Sequence, residues 1–306
     1  MLNYVDIETV RHCNARCVFC PQSQDPLPAD TMSLELFDHI CKELLKTNLY
    51  RYFYIVPNHY GEPLLDKFFE ERVKLLDKYN MGIQLHTNGT RLDEKKVAFL
   101  HQYKHLIQKI EINMTTLDED EWCATYGLPP AQFKKTFNNL LNLLKTFNYG
   151  HGKLRGGIVL NEKIREQLES ITGHNIKVDW LFMPHNNRGG NLAINDKNKS
   201  DIYNTEYKGN DYMYGCKKDV LKSNFSINYE GKVFLCCQDY YQKNIIGDLT
   251  KDSVKYILNT VEANHLRDQM YGKKIGDKDL ICRTCIVSII DGLDFPMSSS
   301  NSWVRK

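Results

Sequence analysis

The sequence has no long apolar run and no large excess of charge of one sign. Its 306 residues include 40 Lys and Arg against 38 Asp and Glu, which gives a formal net charge of +2. The basic residues are scattered, whereas a nucleic-acid-binding face concentrates them in a patch or stripe. A membrane-spanning helix needs about 18 consecutive apolar residues, and no segment reaches that length. We therefore expect neither nucleic acid nor a membrane as a partner.

The N-terminal segment MLNYVDIETV lacks the features of a secretory signal. It has no basic region, no long apolar stretch and no small-residue cleavage site. We therefore expect a cytoplasmic protein, and cysteines in that reducing compartment seldom form disulfides. Clustered cysteines there are more often metal ligands or catalytic thiols.

Eight of the ten cysteines fall into clusters, one near the N-terminus and the others in the last third of the chain. The clustered positions are Cys13, Cys17, Cys20, Cys216, Cys236, Cys237, Cys282 and Cys285. Cys41 and Cys123 stand alone, and a lone cysteine in a helical pattern usually acts as a small buried hydrophobe. The clusters are therefore the candidates for chemistry.

Short β-rich runs alternate with helical patterns over the first two thirds of the chain. The strand candidates are YVDIET, YFYIVP, GIQLHT, IQKIEINMT, LRGGIVLN and IKVDWLFMP. Between them, SLELFDHICKELLK, DKFFEERVKLLDKY, the stretch after Asp93 and PAQFKKTFNNLLNLLKTF have helical periodicity. Such alternation is typical of βα units around a parallel sheet. We predict an α/β fold, a partial (β/α)6 barrel of TIM type, over residues 1–192.

A polar, turn-rich segment over residues 193–213 predicts a linker to a second module. That module, over residues 214–290, contains FSINYEGKVFLC, which predicts a β-hairpin. It also contains SVKYILNTVEANHLRDQ, which predicts one amphipathic helix. We therefore expect a small α+β module, followed by a loosely held tail over residues 291–306.

The run CNARCVFC places Cys13, Cys17 and Cys20 at the spacing C-x3-C-x2-C. Three thiolates can ligate three irons of a 4Fe-4S cubane, which leaves the fourth iron without a protein ligand. One buried face of a helix is an alternative, but the run follows a strand and ends at Pro21, which favours a loop. A zinc site is another, although zinc usually takes four ligands and no fourth is near. The pattern favours an iron–sulfur cluster with an open iron.

With Phe19 just before its last cysteine, CNARCVFC resembles the cluster loop of radical S-adenosylmethionine (SAM) enzymes. The resemblance implies that the open iron binds SAM and that the cluster cleaves it reductively to a 5′-deoxyadenosyl radical. It places Phe19 beside the adenine. It further implies an external one-electron reductant of the flavodoxin or ferredoxin type as a partner.

Motifs at later strand ends resemble the SAM contacts of the same family, in the same order. YGEPLL is similar to the family's GGEPLL, with Tyr60 in place of the first glycine, and HTNGT is similar to its TNGT. The polar end of the fourth strand and PHNNRGGN at the end of the sixth resemble the family's later SAM contacts. For Arg188 the alternative is an ordinary solvent-exposed arginine in a turn. The resemblance thus implies SAM contacts at Phe19, Gly61, Glu62, Asn88, Asn113, Thr115, Arg188 and Gly189.

The spacing from Cys216 through Gly231 to Cys236 resembles the opening C-x9-15-G-x4-C of the SPASM cluster domain, and Cys282-x2-Cys285 follows later. The set is shorter than a full SPASM domain and resembles its "twitch" version. It implies one auxiliary 4Fe-4S cluster held by Cys216, Cys236, Cys282 and Cys285. Adjacent strand residues point to opposite faces, so Cys237 is left over and its role stays open. A zinc site is the alternative for this quartet.

Taken together, these features predict a radical SAM oxidoreductase of the dehydrogenase kind. It would abstract hydrogen from a small polar metabolite of the sugar, cyclitol or nucleoside type, with net oxidation through the auxiliary cluster. The candidates for substrate contact or proton transfer near strand ends are His59, Tyr60, His86 and Glu162. The alternatives are epimerisation or crosslinking of a ribosomal peptide, and a non-enzymatic zinc-binding scaffold.

Overall fold

Parallel strands and amphipathic helices alternate from the N-terminus, as the sequence pattern predicts. The computed structural model describes residues 4–47, 54–150, 157–181, 188–192, 213–285 and 287–290. The first six strands are β1 (Tyr4–Ile7), β2 (Tyr54–Val56), β3 (Gly82–Thr87), β4 (Ile107–Ile112), β5 (Ile158–Asn161) and β6 (Asp179–Leu181). The helices among them are α1 (Leu34–Lys46), α2 (Phe69–Lys78), α3 (Glu94–Gln102), α4 (Glu119–Tyr126), α5 (Pro130–Thr146) and α6 (Arg165–Thr172).

The C-terminal part adds short strands and two short helices. The strands are β7 (Met213–Cys216), β8 (Asn224–Ile227), β9 (Lys232–Phe234), β10 (Ile245–Asp248) and β11 (Ser288–Ile290), and the helices are α7 (Val254–Ile257) and α8 (Val261–Met270). The strands β8 and β9 form the predicted antiparallel hairpin. The prediction of a single helix over SVKYILNTVEANHLRDQ is wrong. The side chain of Thr260 accepts a hydrogen bond from the backbone N–H of Ala263 and so starts a second helix.

Within the described residues, nine strands form one sheet in the order β10-β9-β8-β1-β2-β3-β4-β5-β6. Strands β8 and β1 through β6 pair in parallel, while β9 and β10 pair antiparallel. Val5 and Ile7 of β1 are fully buried in the hydrophobic core. This arrangement confirms the α/β fold class with antiparallel strands in the C-terminal region. Of the described helices, none combines the length and the apolar character needed to cross a bilayer.

The C-terminal strands continue the barrel sheet. Strand β8 pairs with β1 from Tyr4↔Asn224 to Ile7↔Ile227. Strand β1 would otherwise end the sheet with a row of unpaired backbone N–H and C=O groups, which an added strand satisfies. Of the expected linker, residues 193–212 lie outside the described residues, as does the expected tail. The lone Cys41 is buried and the lone Cys123 only partly so.

The turn of the β8–β9 hairpin depends on Gly231, whose φ is +86°. A Cβ there would lie 3.2 Å from a methyl carbon of Leu36 and 3.3 Å from one of Thr250. We predict that Gly231→Ala lowers the free energy of unfolding by about 1 kcal/mol or more, because it adds backbone strain and crowding. Denaturant unfolding would measure the change.

Gly173→Ala is the matched control, since Gly173 also has a positive φ (+68°) but no atom within 4 Å of an added Cβ. The Gly231 variant should lose more stability than this control. Equal losses in the two variants would contradict the role given to the contacts of Gly231.

Candidate active site

Cys13, Cys17 and Cys20 lie in a loop between β1 and a short 3-10 turn that begins at Pro21. The loop makes its own tight turn, in which the N–H of Cys20 donates to the carbonyl of Cys17 at 2.9 Å. The alternative of a buried helical face is therefore wrong. We call residues 13–20 the cluster loop.

The C-terminal end of α4 holds the cluster loop in place. The N–H groups of Arg16 and Val18 donate to the carbonyls of Tyr126 (2.8 Å) and Thr125 (2.9 Å). The ring of Phe19 meets the Tyr126 ring edge-on, with centroids 5.8 Å apart. The Tyr126 hydroxyl accepts a hydrogen bond from the N–H of Thr115 at 3.0 Å. Tyr126, which sequence reasoning missed, thus joins the cluster loop to the end of β4.

The three thiols of the cluster loop fit a metal cluster. Burial raises the pKa of Cys13 to about 12, with a further contribution from the Glu62 carboxylate, while the N–H of Ala15 opposes the shift. Burial followed by the neighbouring Cys13 and Cys20 raises the pKa of Cys17. Free thiolates at these positions would be buried and would repel one another. Bound iron would remove that conflict, because a coordinating metal deprotonates a thiol outright.

Gly61 and Glu62 connect the end of β2 to both the cluster loop and β3. A Cβ at Gly61 would lie 2.0 Å from the carbonyl oxygen of Val10, so the two backbone segments touch. The buried Glu62 carboxylate accepts hydrogen bonds from the hydroxyl of Thr87 (2.7 Å) and the N–H of Asn88 (2.8 Å). Burial raises the pKa of Glu62, and these hydrogen bonds oppose the shift. Glu62 therefore fixes the turn after β3.

The other expected SAM contacts lie around the same loop. The Asn88 amide donates to the Asn14 side chain at 3.1 Å, and the Tyr126 hydroxyl donates to Asn113 at 3.4 Å. Nε of Arg188 donates to the carbonyl of Phe19 at 3.4 Å, so this side chain is not merely a solvated turn residue. Gly189 follows in a left-handed conformation, with φ of +65°. The roles of these residues toward SAM stay predictions.

The four candidates for substrate contact do not converge on one point. The imidazole of His59 is buried between Glu8, with Nδ1 3.5 Å from a carboxylate oxygen, and the Tyr60 ring, with centroids 4.5 Å apart. His86 lies on β3, with Nδ1 3.7 Å from the Glu111 carboxylate. The Glu162 side chain is 47% exposed and pairs with Arg165 at 3.4 Å. His59 and Tyr60 therefore contact each other, whereas His86 and Glu162 each have other partners.

Sequence reasoning missed two polar side chains, one on β1 and one directly after it. Glu8 is fully buried and accepts a hydrogen bond from the Gln242 amide at 2.8 Å, across the junction with the C-terminal strands. Asp6 is also buried and accepts from the hydroxyl of Ser226 at 3.2 Å. The alternation of Val5 and Ile7 with Asp6 and Glu8 was the available signal, because side chains two residues apart share a face of a strand.

The C-terminal thiols form a second buried group. Burial raises the pKa of Cys236, with further contributions from Cys237, Cys282 and Cys285, and raises that of Cys285 to about 12. Cys216, at the end of β7, raises the pKa of both Cys282 and Cys285. This mutual repulsion again fits a bound metal cluster. Sγ of Cys237 accepts a hydrogen bond from Nζ of Lys218 at 3.4 Å. In the described ranges, no three His, Cys, Asp or Glu side chains lie close enough to hold a single metal ion.

Three solved structures with the same fold contain bound AdoMet or a bound peptide. The structure of BtrN in complex with AdoMet and 2-DOIA is 19% identical, with a TM-score of 0.56, over 89% of this chain and 88% of BtrN. The structure of anSMEcpe with bound AdoMet and Cp18Cys peptide is 16% identical, with a TM-score of 0.56, over 94% of this chain and 89% of anSMEcpe. SuiB of Streptococcus suis, bound to precursor peptide SuiA, is 12% identical, with a TM-score of 0.52, over 93% of this chain and 70% of SuiB.

Two family models match the sequence, while no curated protein does. The model of the radical SAM superfamily matches residues 7–168, more than half of the chain. The SPASM model, described as an iron–sulfur cluster-binding domain, matches residues 216–286, which contain the second thiol group. The chain therefore belongs to the radical SAM superfamily and carries a C-terminal SPASM domain, so its cofactors are SAM and iron–sulfur clusters.

Proposed function

We propose that this enzyme abstracts a hydrogen atom from a small polar metabolite, of the sugar, cyclitol or nucleoside type, and oxidises it. The observation that carries the proposal is the polar inner wall of the barrel near the strand ends. On this wall Nζ of Lys109 is 2.7 Å from the Glu111 carboxylate, and His86 flanks the same carboxylate. BtrN, which resembles this chain over most of both lengths, has 2-DOIA bound in its structure.

The cofactors would be held by the residues already described. Cys13, Cys17 and Cys20 would ligate the SAM-binding cluster, and the second thiol group would ligate the auxiliary one. When bound, SAM and its cluster supply a 5′-deoxyadenosyl radical that removes a hydrogen atom from the substrate. Glu62 would orient the methionine end of SAM through the turn after β3. Phe19, supported by Tyr126, would present an aromatic surface to the adenine.

The inner wall offers both donors and acceptors to a polyhydroxylated substrate. Burial lowers the pKa of His86, and Glu111 opposes the shift only in part. Its imidazole is therefore neutral near pH 7, with Nε2 accepting from the Gln84 amide at 2.5 Å and Nδ1 left to donate towards Glu111 or a substrate. Burial acts to raise the pKa of Glu111, but His86 and Lys109 outweigh it and lower that pKa. The carboxylate stays ionised and accepts hydrogen bonds from hydroxyl or amino groups.

Modification of a ribosomal peptide is the second candidate function. It is supported by the anSMEcpe structure with a bound peptide, which is as similar to this chain as BtrN by TM-score (0.56 for both). SuiB bound to SuiA supports it as well. The two candidates differ in what must enter the barrel, an isolated small molecule or an extended chain.

The test is anaerobic reconstitution with iron and sulfide, followed by incubation with SAM and a one-electron reductant. One arm contains a panel of cyclitols, sugars and nucleosides, and the other contains cysteine- and serine-containing peptides. We expect a small polar compound to raise 5′-deoxyadenosine formation and to yield a product that has lost two hydrogens, detected by mass spectrometry. Turnover of peptides alone, or products with unchanged oxidation state alone, would contradict the proposal.

We predict that replacing Cys13, Cys17 and Cys20 together by Ala abolishes 5′-deoxyadenosine formation. Because the second thiol group would still hold its cubane, iron content per chain should fall by about half rather than to zero. Iron analysis and absorbance measure this directly. Cys123→Ala is the control, since Cys123 is a lone, partly buried thiol, and it should retain all of its iron. Cleavage of SAM by the triple variant would refute the assignment.

We predict the converse for Cys282 and Cys285 replaced by Ala. Iron content should again fall by about half, and 5′-deoxyadenosine should still form, because the cluster loop contains neither residue. The amount of oxidised product formed per molecule of 5′-deoxyadenosine should fall at least tenfold, since the second electron of the oxidation would have no acceptor. An unchanged yield would show that the auxiliary site takes no part in the oxidation.

A further inference from the structure

Four strands each place a polar side chain one residue before their end. These are Asp6 on β1, His86 on β3, Glu111 on β4 and Ser226 on β8. Asp6 is paired in register with Ser226, and His86 with Glu111. The residues that follow Asp6, Glu111 and Ser226 are isoleucines buried in the hydrophobic core, so the polar side chains face the opposite way, into the barrel. We call these four residues the inner ring.

Lys218 brings a positive charge from the C-terminal region to this ring. It follows β7 and is partly buried, and its ammonium interacts electrostatically with Asp6, His86 and Glu111. These three partners belong to three different barrel strands. The ammonium itself donates a hydrogen bond to Sγ of Cys237 at 3.4 Å, so it acts on the inner ring from the second thiol group.

The two carboxylates of the inner ring differ in their partners. Glu111 is paired with Lys109 at 2.7 Å and approached by His86 at 3.7 Å, and its pKa is lowered despite burial. Among the described residues, Asp6 forms no ion pair, and it accepts a single hydrogen bond, from Ser226 to Oδ2 at 3.2 Å. Asp6 is thus the ring carboxylate with a free oxygen, Oδ1, for a substrate.

We propose that Asp6 is the catalytic base that accepts the substrate's hydroxyl proton during oxidation, with Ser226 as its positioning residue. The proposal rests on the proposed function. Oxidation of an alcohol carbon to a carbonyl breaks one C–H and one O–H bond and removes two electrons. The carbon's hydrogen leaves as an atom to the radical derived from SAM. The second electron leaves to a one-electron acceptor of the iron–sulfur class, and the hydroxyl proton goes to Oδ1 of Asp6.

The surroundings of Asp6 suit this role. Burial raises its pKa to about 6, while Lys218, His59 and the Ser226 hydroxyl oppose the shift. The phenol groups of Tyr4, on the same strand, and of Tyr54, on β2, also interact electrostatically with this carboxylate. A general base is most effective when its pKa lies close to the working pH. Glu111, with its lowered pKa, is a weaker base.

The test compares the Asp6→Asn variant with wild type, both as reconstituted holoenzyme. The probe is the compound that wild type oxidises, deuterated at the reacting carbon. We expect at least a hundredfold loss of ketone or aldehyde product, the lower range for removal of a general base. Deuterium should still pass into 5′-deoxyadenosine, because hydrogen abstraction precedes proton loss. A variant that has merely lost its structure would transfer no deuterium. Asp6→Glu should restore part of the product.

The pH profile gives a second measurement. Product formation by wild type should rise with pH through about 6 and then level off, because the base must be ionised. Asp38→Asn, a surface carboxylate paired with Lys42, should keep this profile. The profile of Asp6→Asn should lack the rise in product formation near pH 6.

The outcomes separate the two proposals. If wild type oxidises a probe and Asp6→Asn does so within threefold, with the same pH profile, the role of Asp6 is overturned and the proposed function stands. If wild type converts every probe without net oxidation, the proposed function fails and the role of Asp6 fails with it.

Discussion

The parallel pairing of β1 with β8 is the interaction on which the rest of the structure depends. It joins residues near the start of the chain to residues more than two hundred positions later. Because of this pairing, β1 has a hydrogen-bonded neighbour on each side, β2 and β8. The cluster loop that follows β1 and Cys236, which follows β9, are consequently attached to the same sheet, while Cys216 lies on β7 in a separate two-stranded sheet with β11.

The same pairing explains the chemistry of the inner ring. Ser226 meets Asp6 only because β8 lies beside β1 in register. Lys218, which precedes β8, interacts electrostatically with Asp6 for the same reason. Glu8 and Gln242 extend this contact towards the buried imidazole of His59. The C-terminal region thus contributes side chains to the barrel in addition to its cysteines.

Both thiol groups impose a second constraint. Each is largely buried, and in each the thiols raise one another's pKa. Ionised and empty, such groups would oppose folding. Deprotonated and bound to iron, they would favour it, since metal binding of this kind adds to the free energy of folding. We therefore expect the stability of the protein to depend on its clusters.

The sequence was sufficient for features with a local signature. Six strands followed from β-rich runs, and the thiol positions followed from cysteine spacing. The β1–β8 pairing has no such signature, because two short strands far apart in sequence can pair with many others. The first C-terminal helix ends at Ile257 and Thr260 starts the next one, although the apolar period runs through both. Tyr126 was missed because a buried aromatic in a helix is usually just core.

The β1–β8 pairing also sets an order of events during synthesis. The ribosome adds about 5–20 residues per second, so roughly ten to forty seconds separate the appearance of β1 from that of β8. During this interval one edge of β1 has no partner, and the cluster loop beside it is attached to an incomplete barrel. We expect a nascent chain to depend on chaperones over this period and to receive its iron only after its last third has emerged.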